Sequence, residues 1–89
     1  MDHLASQFDL SAGNTVEVRV DQPTNVRLMD GHNYQLYQQL RPYRAVGGGF
    51  TAGRVRLAPP TMGRWVLVLD LGGRAGTIRH SDVLVRRAA

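Results

Sequence analysis

A mainly β fold, a small antiparallel sandwich carrying one short helix, is predicted from three features of this sequence. Several short segments alternate apolar and polar residues with period two. Glycine or proline separates them at a spacing of roughly 8 to 12 residues, as in sandwiches and barrels. Only the stretch after Asp30 changes to a three-residue period. The 89 residues allow one domain over 1–89 with one core, and exclude a two-domain enzyme.

Thr15 to Val20 is the clearest strand, with Val16, Val18 and Val20 on one face and Thr15, Glu17 and Arg19 on the other. Gly13-Asn14 before it has turn chemistry, and Leu4, Phe8 and Leu10 form an apolar N-terminal piece suited to covering an edge or face. Pro23 is expected to break the run, so that Asn25 to Met29 forms a second short strand after a hairpin-sized connection. Asp30 is placed as an N-cap, Tyr34, Tyr37 and Leu40 recur three apart, and Pro42 closes a helix of two to three turns. Gly47-Gly48-Gly49 is a loop or a bulged strand edge, since three glycines sacrifice chain entropy and pack no side chain. Val55 and Leu57 alternate with Arg54 and Arg56 in another strand that stops at Pro59-Pro60. Trp65 to Leu71 is apolar on both faces and should be a central strand. After the turn Gly72 to Gly76, Thr77–His80 and Val83–Val85 give one or two closing strands, and Arg86 to Ala89 reads as a solvated tail.

The absence of cysteine removes disulfides, thiolate nucleophiles and cysteine-ligated metals. His3, His32 and His80 are too scattered for a ligand pair, and no motif implies a cofactor. No stretch approaches the roughly 20 apolar residues that span a bilayer, so a soluble, cytoplasmic protein without a membrane partner is expected. His80-Ser81-Asp82 holds the residue types of a hydrolase triad, but neighbours on a strand point to opposite faces and cannot form a relay. Neither glycine cluster has the ending or the following helix of a phosphate loop. Asp70, the one acid in the apolar strand, is read first as a carboxylate that pins the following turn.

Charge is distributed unevenly. All 11 cations are arginine, and between Asp30 and Asp70 five of them (Arg41, Arg44, Arg54, Arg56 and Arg64) meet no acid at all. The rest of the chain has six arginines against seven acids. Five of the six aromatic residues lie in the same acid-free interval. Bases or sugars stack on such rings beside cations. A ligand surface is therefore expected from Arg41, Tyr43, Arg44, Phe50, Arg54 and Arg56.

The order of the motifs adds a resemblance. A valine-rich strand follows Ala12-Gly13, then come NVRLMD at Asn25 to Asp30, Asn33-Tyr34 with Tyr37, and Tyr43 ahead of the triple glycine. Gly63-Arg64-Trp65, DLGG at Asp70 to Gly73, and the run from Gly76 to Ser81 complete the series. Over nearly its whole length the chain resembles the small bacterial proteins grouped as domain of unknown function eighteen eighty-three. The resemblance implies a compact β-sandwich, found alone or attached to a Toll/interleukin-receptor type domain, and implies no activity.

These readings converge on a non-catalytic interaction or ligand-sensing module that takes an acidic protein or a small anionic ligand. A nucleic-acid binder is the alternative, because clustered arginines neutralise phosphates. A small hydrolase using Asp70 and His80 ranks third. A homodimer through exposed strand edges is compatible with so small a fold.

Overall fold

The computed structural model describes residues 2–87. Five strands, β1 (His3–Leu10), β2 (Thr15–Asp30), β3 (Val46–Leu57), β4 (Gly63–Asp70) and β5 (Leu84–Arg86), flank one helix, α1 (Gly31–Gln38), which follows β2 directly. All strand pairings are antiparallel, in the order β1-β4-β2-β3, with β5 beside the first half of β2. The fold is thus mainly β with one short helix. The strands form one hydrogen-bonded sheet, and no second sheet is shown among the described residues, unlike the two sheets of the expected sandwich.

The sheet owes its shape to β2, which is one strand of 16 residues rather than the two expected. At about 3.3 Å per residue it would extend roughly 50 Å if straight, yet the longest dimension of the molecule is 38 Å. The bend falls where Val20 pairs with Gly53 and Thr24 with Thr51, leaving two more residues on β2 than on β3. Pro23 lies in this excess. It bends the strand without ending it, because a bulge has no ladder bond for proline to remove. A matching irregularity puts an extra residue of β3 between the Asn25–Phe50 and Arg27–Gly47 pairs.

Bending brings the valines of both halves of β2 together. Val16, Val18, Val20, Val26 and Leu28 share a core with Leu10, Trp65, Leu67 and Leu69. β3 curls with it. A β-carbon built on Gly47 would lie 2.7 Å from Leu57 Cδ2, although ten residues separate them along the strand. Glycine is required there twice over, since its φ is +79°.

The other face of the sheet is covered where α1 packs, and Met29, Val66, Val68 and Tyr37 form a second cluster. β4 is therefore buried on both faces, as its apolar run predicts. Asp30 caps α1 by accepting the Asn33 backbone N–H at 2.8 Å. At the other end Arg41 N–H reaches Leu36 O and Leu40 N–H reaches Tyr37 O. This is a Schellman closure with Leu40 in the left-handed position that glycine normally fills, at φ +58°. The conformation costs a leucine about 1–2 kcal/mol.

After β4 the chain differs from expectation. Thr77–His80 contributes only an isolated bridge, His80 to Val20. Arg86 is not tail but the end of β5, paired with Thr15; Ala88 and Ala89 lie outside the described residues. No helix among the described residues is long and apolar enough to cross a membrane.

Candidate functional site

Register decides what surrounds Asp70. On the face that carries α1, His3 of β1 and Asn25 of β2 lie opposite it, and Tyr37 of α1 descends on the same spot. Asp70 is 1% exposed. One carboxylate oxygen accepts Asn25 Nδ2 at 2.8 Å and the Gly72 backbone N–H at 2.9 Å. The other accepts Arg27 Nη1 at 3.1 Å and the Tyr37 hydroxyl at 2.7 Å. A carboxylate has about four acceptor positions, and here all are used. Burial alone would raise the Asp70 carboxyl. The hydrogen bonds from Asn25, Tyr37 and Gly72, with the Arg27 charge, outweigh it and hold the group below its ordinary value. Tyr37 moves the opposite way: burial and then its bond to Asp70 push its hydroxyl well above the ordinary tyrosine range.

Rings extend the arrangement. Tyr43, in the loop between α1 and β3, meets Tyr37 edge-on at 5.3 Å between centroids. Tyr34 stacks on Tyr37 at 6.2 Å and its hydroxyl lies 2.8 Å from His3 Nε2. The Arg27 guanidinium sits 5.9 Å over the Tyr43 ring. Beside this group opens a cleft of about 430 Å³ lined by Arg27, Tyr37, Leu40, Arg41, Tyr43 and Asp70, among others. Two arginines against one carboxylate leave it net positive. A fully hydrogen-bonded Asp70 is poorly disposed to take a proton from a substrate; it orients Arg27.

Of the six residues expected to form one surface, Arg41 and Tyr43 line this cleft. Phe50 pairs with Asn25 in register and carries Arg74 over its ring at 5.3 Å, close to the Gly72 turn. Arg44 donates its backbone N–H to Asn33 Oδ1 at 2.7 Å and lines a separate groove with Asp30 and Trp65. Arg54 and Arg56 are not brought to this cleft. They lie on β3 opposite the first half of β2, around Glu17, which is ten residues along β2 from Arg27.

There one buried carboxylate serves three guanidinium groups. Arg56 Nη2 and Arg86 Nε each lie 3.1 Å from Glu17 Oε2, and Arg54 Nε lies 3.4 Å from Oε1. Arg19 sits directly opposite Arg54 in the ladder, an unfavourable like-charge pair. Burial would raise the Glu17 carboxyl, but the Arg56 hydrogen bond and the charges of Arg86, Arg56 and Arg54 bring it below its usual value.

Sequence reasoning missed Asn25, Arg27 and Tyr37 as parts of a site. The signal for Asn25 and Arg27 was present in NVRLMD, where they share a face with Met29. Only the pairing of β2 with β4 shows that this face meets Asp70. His80, proposed as a partner of Asp70 in the hydrolase reading, instead contacts the carbonyl of its neighbour Ser81.

Comparison with curated proteins and with solved structures finds no match. The protein-family model described as Domain of unknown function (DUF1883) matches residues 3–89. With nearly the whole length matched, the chain belongs to the DUF1883 family.

Proposed function

We propose that this protein is a non-catalytic binding module for a small anion, which it takes in the cleft between Arg27, Arg41 and Tyr43. The observation that supports this most directly is Asp70. A buried acid with every acceptor position used holds a guanidinium at a ring-lined, net positive cleft. That is the composition of a recognition site, and at about 430 Å³ the cleft falls within the range of small-molecule pockets. We further read the bent sheet as a small sandwich in the finer sense, because the two halves of β2 contribute to one core as facing layers do.

The reading is tested by titrating isotope-labelled protein with acetate and inorganic phosphate. Backbone amide signals of Arg27, Asp70, Gly72 and Tyr43 are expected to shift together. Arg41→Glu, a change on an exposed loop, should weaken binding tenfold or more. Amides that do not respond, or a variant that binds as well as the parent, would remove the proposal.

A second reading is favoured by the other end of the sheet. Arg54, Arg56 and Arg86, each more than half exposed, surround a single carboxylate, and Arg19 stands opposite Arg54. Such an excess suits the phosphates of a nucleic acid. Binding of a labelled single-stranded oligonucleotide should then fall with salt at a log–log slope of about −3, as expected for four neutralised phosphates. A slope near zero, or one unchanged in Arg54→Glu/Arg56→Glu, excludes it.

A further inference from the structure

Leu40 has two features that are unfavourable for a leucine. Its backbone is left-handed, at φ +58°, where glycine would close α1 without strain. Its side chain is 77% exposed and belongs to neither hydrophobic cluster. Strain kept at an exposed apolar residue is a reason to ask what the side chain touches when the protein is occupied.

Leu40 lines two clefts. On one side lies the cleft of Arg27, Arg41 and Tyr43. On the other lies a larger one, about 690 Å³, with Leu4, Leu71 and Ile78 as its apolar lining and Asp2 and Arg74 as opposing charges. Gly76 shapes this second cleft: a β-carbon there would approach Leu71 Cδ1 to 3.2 Å, and its φ of +148° disfavours any other residue. Leu4 is also 42% exposed, although it is on the face of β1 that carries Phe8 and Leu10. A net positive cleft and a charge-balanced apolar cleft thus share one wall.

We infer that the ligand is a single-chain amphipathic carboxylate, its head group between Arg27 and Arg41 and its apolar body passing Leu40 into the cleft of Leu4, Leu71 and Ile78. This rests on the small-anion reading above and names the class of anion. The positive end selects the carboxylate. The apolar end then favours a longer chain over a short one, because each methylene removed from water strengthens binding about fourfold when fully buried and less when partly exposed.

The experiment titrates the whole chain with acetate, hexanoate and decanoate, each below the concentration at which it forms micelles, following amide shifts. Affinity is expected to rise two- to fourfold per methylene, with Ile78, Leu71 and Leu4 responding only to the longer acids. Leu40→Gly should raise the melting temperature by roughly 5 °C, because it relieves the left-handed strain, while flattening the dependence on chain length. Leu4→Gln is expected to flatten it without the gain in stability. Acetate and decanoate binding equally to the parent protein would overturn this inference and leave the small-anion reading intact. So would a Leu40→Gly variant with the parent's chain-length dependence. No response to an acid of any length would remove both. Response only to decanoate presented in vesicles would assign the surface to a membrane and overturn the inference.

Discussion

Asp70→Asn is expected to lower the melting temperature by roughly 15–25 °C, which corresponds to about 3–4 kcal/mol in a domain of this size. The asparagine has the shape of the aspartate but turns one oxygen acceptor into an N–H donor. Asn25, Gly72, Arg27 and Tyr37 all donate to this carboxylate, so at least one buried donor then faces another. Arg27, whose side chain is only 21% exposed, also loses its counter-ion. Removing one partner of a buried pair costs more than the pair contributes, because the remaining charge is left in a poor solvent. Thermal melts followed by circular dichroism, with urea titration at neutral pH, measure the change. A loss below about 1 kcal/mol would show that water replaces the carboxylate readily.

The same group gives the protein its pH response. Asp70, Asp30 and Glu17 are all held below their ordinary values, 3.8 for the aspartates and 4.5 for the glutamate. Their folded forms hold protons less tightly than the unfolded chain does. The stability they contribute is therefore fully present above those ordinary values and is lost as pH falls through the lower, folded ones. Tyr37, raised above 10.0, acts with the opposite sign: its contribution is present below that value and is lost as the pH climbs beyond it. In Asp70→Asn both limbs should flatten, since the variant lacks the aspartate and the charge that helps keep Tyr37 protonated. Glu17, far along β2, retains its share of the acid limb.

Local patterns were legible wherever one face of an element was buried. Val16, Val18 and Val20 announced a strand, Trp65 to Leu71 a doubly covered one, and Asp30 with the spacing of Tyr34 and Tyr37 a capped helix. The long β2 was not legible because Pro23 carries the same letter whether it ends a strand or sits in a bulge. The difference lies in the partner strand, where only two residue steps match four. The site failed to read for a related reason. Arg41 and Tyr43 could be named from composition, but Asp70, Asn25 and Arg27 come together only through cross-strand register. Arg54 and Arg56 share the same acid-free interval in sequence, yet β3 carries them to the far end of the sheet, where Glu17 is waiting from outside that interval. Charge counted along the chain cannot anticipate a counter-ion supplied by another strand.

Consecutive residues of β2 provide the second large effect. Leu28 and Met29 are both fully buried, at 0% exposure, although neighbours on a strand point to opposite faces. Leu28 belongs to the core enclosed by the bend, with Val26, Trp65 and Leu67. Met29 belongs to the layer under α1, with Tyr37, Val66 and Val68. Leu28→Ala should cost about 3–4 kcal/mol, since the enclosed core is lined from both halves of the sheet and cannot collapse on the space left behind. Met29→Ala should cost about 2–3 kcal/mol, toward the low end for core truncation, because a helix of eight residues can settle toward the gap. The two differ in kind as well as size. Leu28→Ala is expected to shift one cooperative transition to lower urea with the slope unchanged. In Met29→Ala the near-ultraviolet signal of Tyr37 and Tyr43 should weaken before the sheet unfolds, since α1 is a short element seated on β2 and β4, with His3 of β1 touching it through Tyr34 and Tyr37. Loosening α1 also disturbs the cleft that Tyr37 and Leu40 line. Anion binding should therefore weaken in Met29→Ala while it survives in Leu28→Ala under conditions where both remain folded. Equal losses of binding in the two variants would mean that the cleft depends on the fold as a whole and not on the seat of its helix.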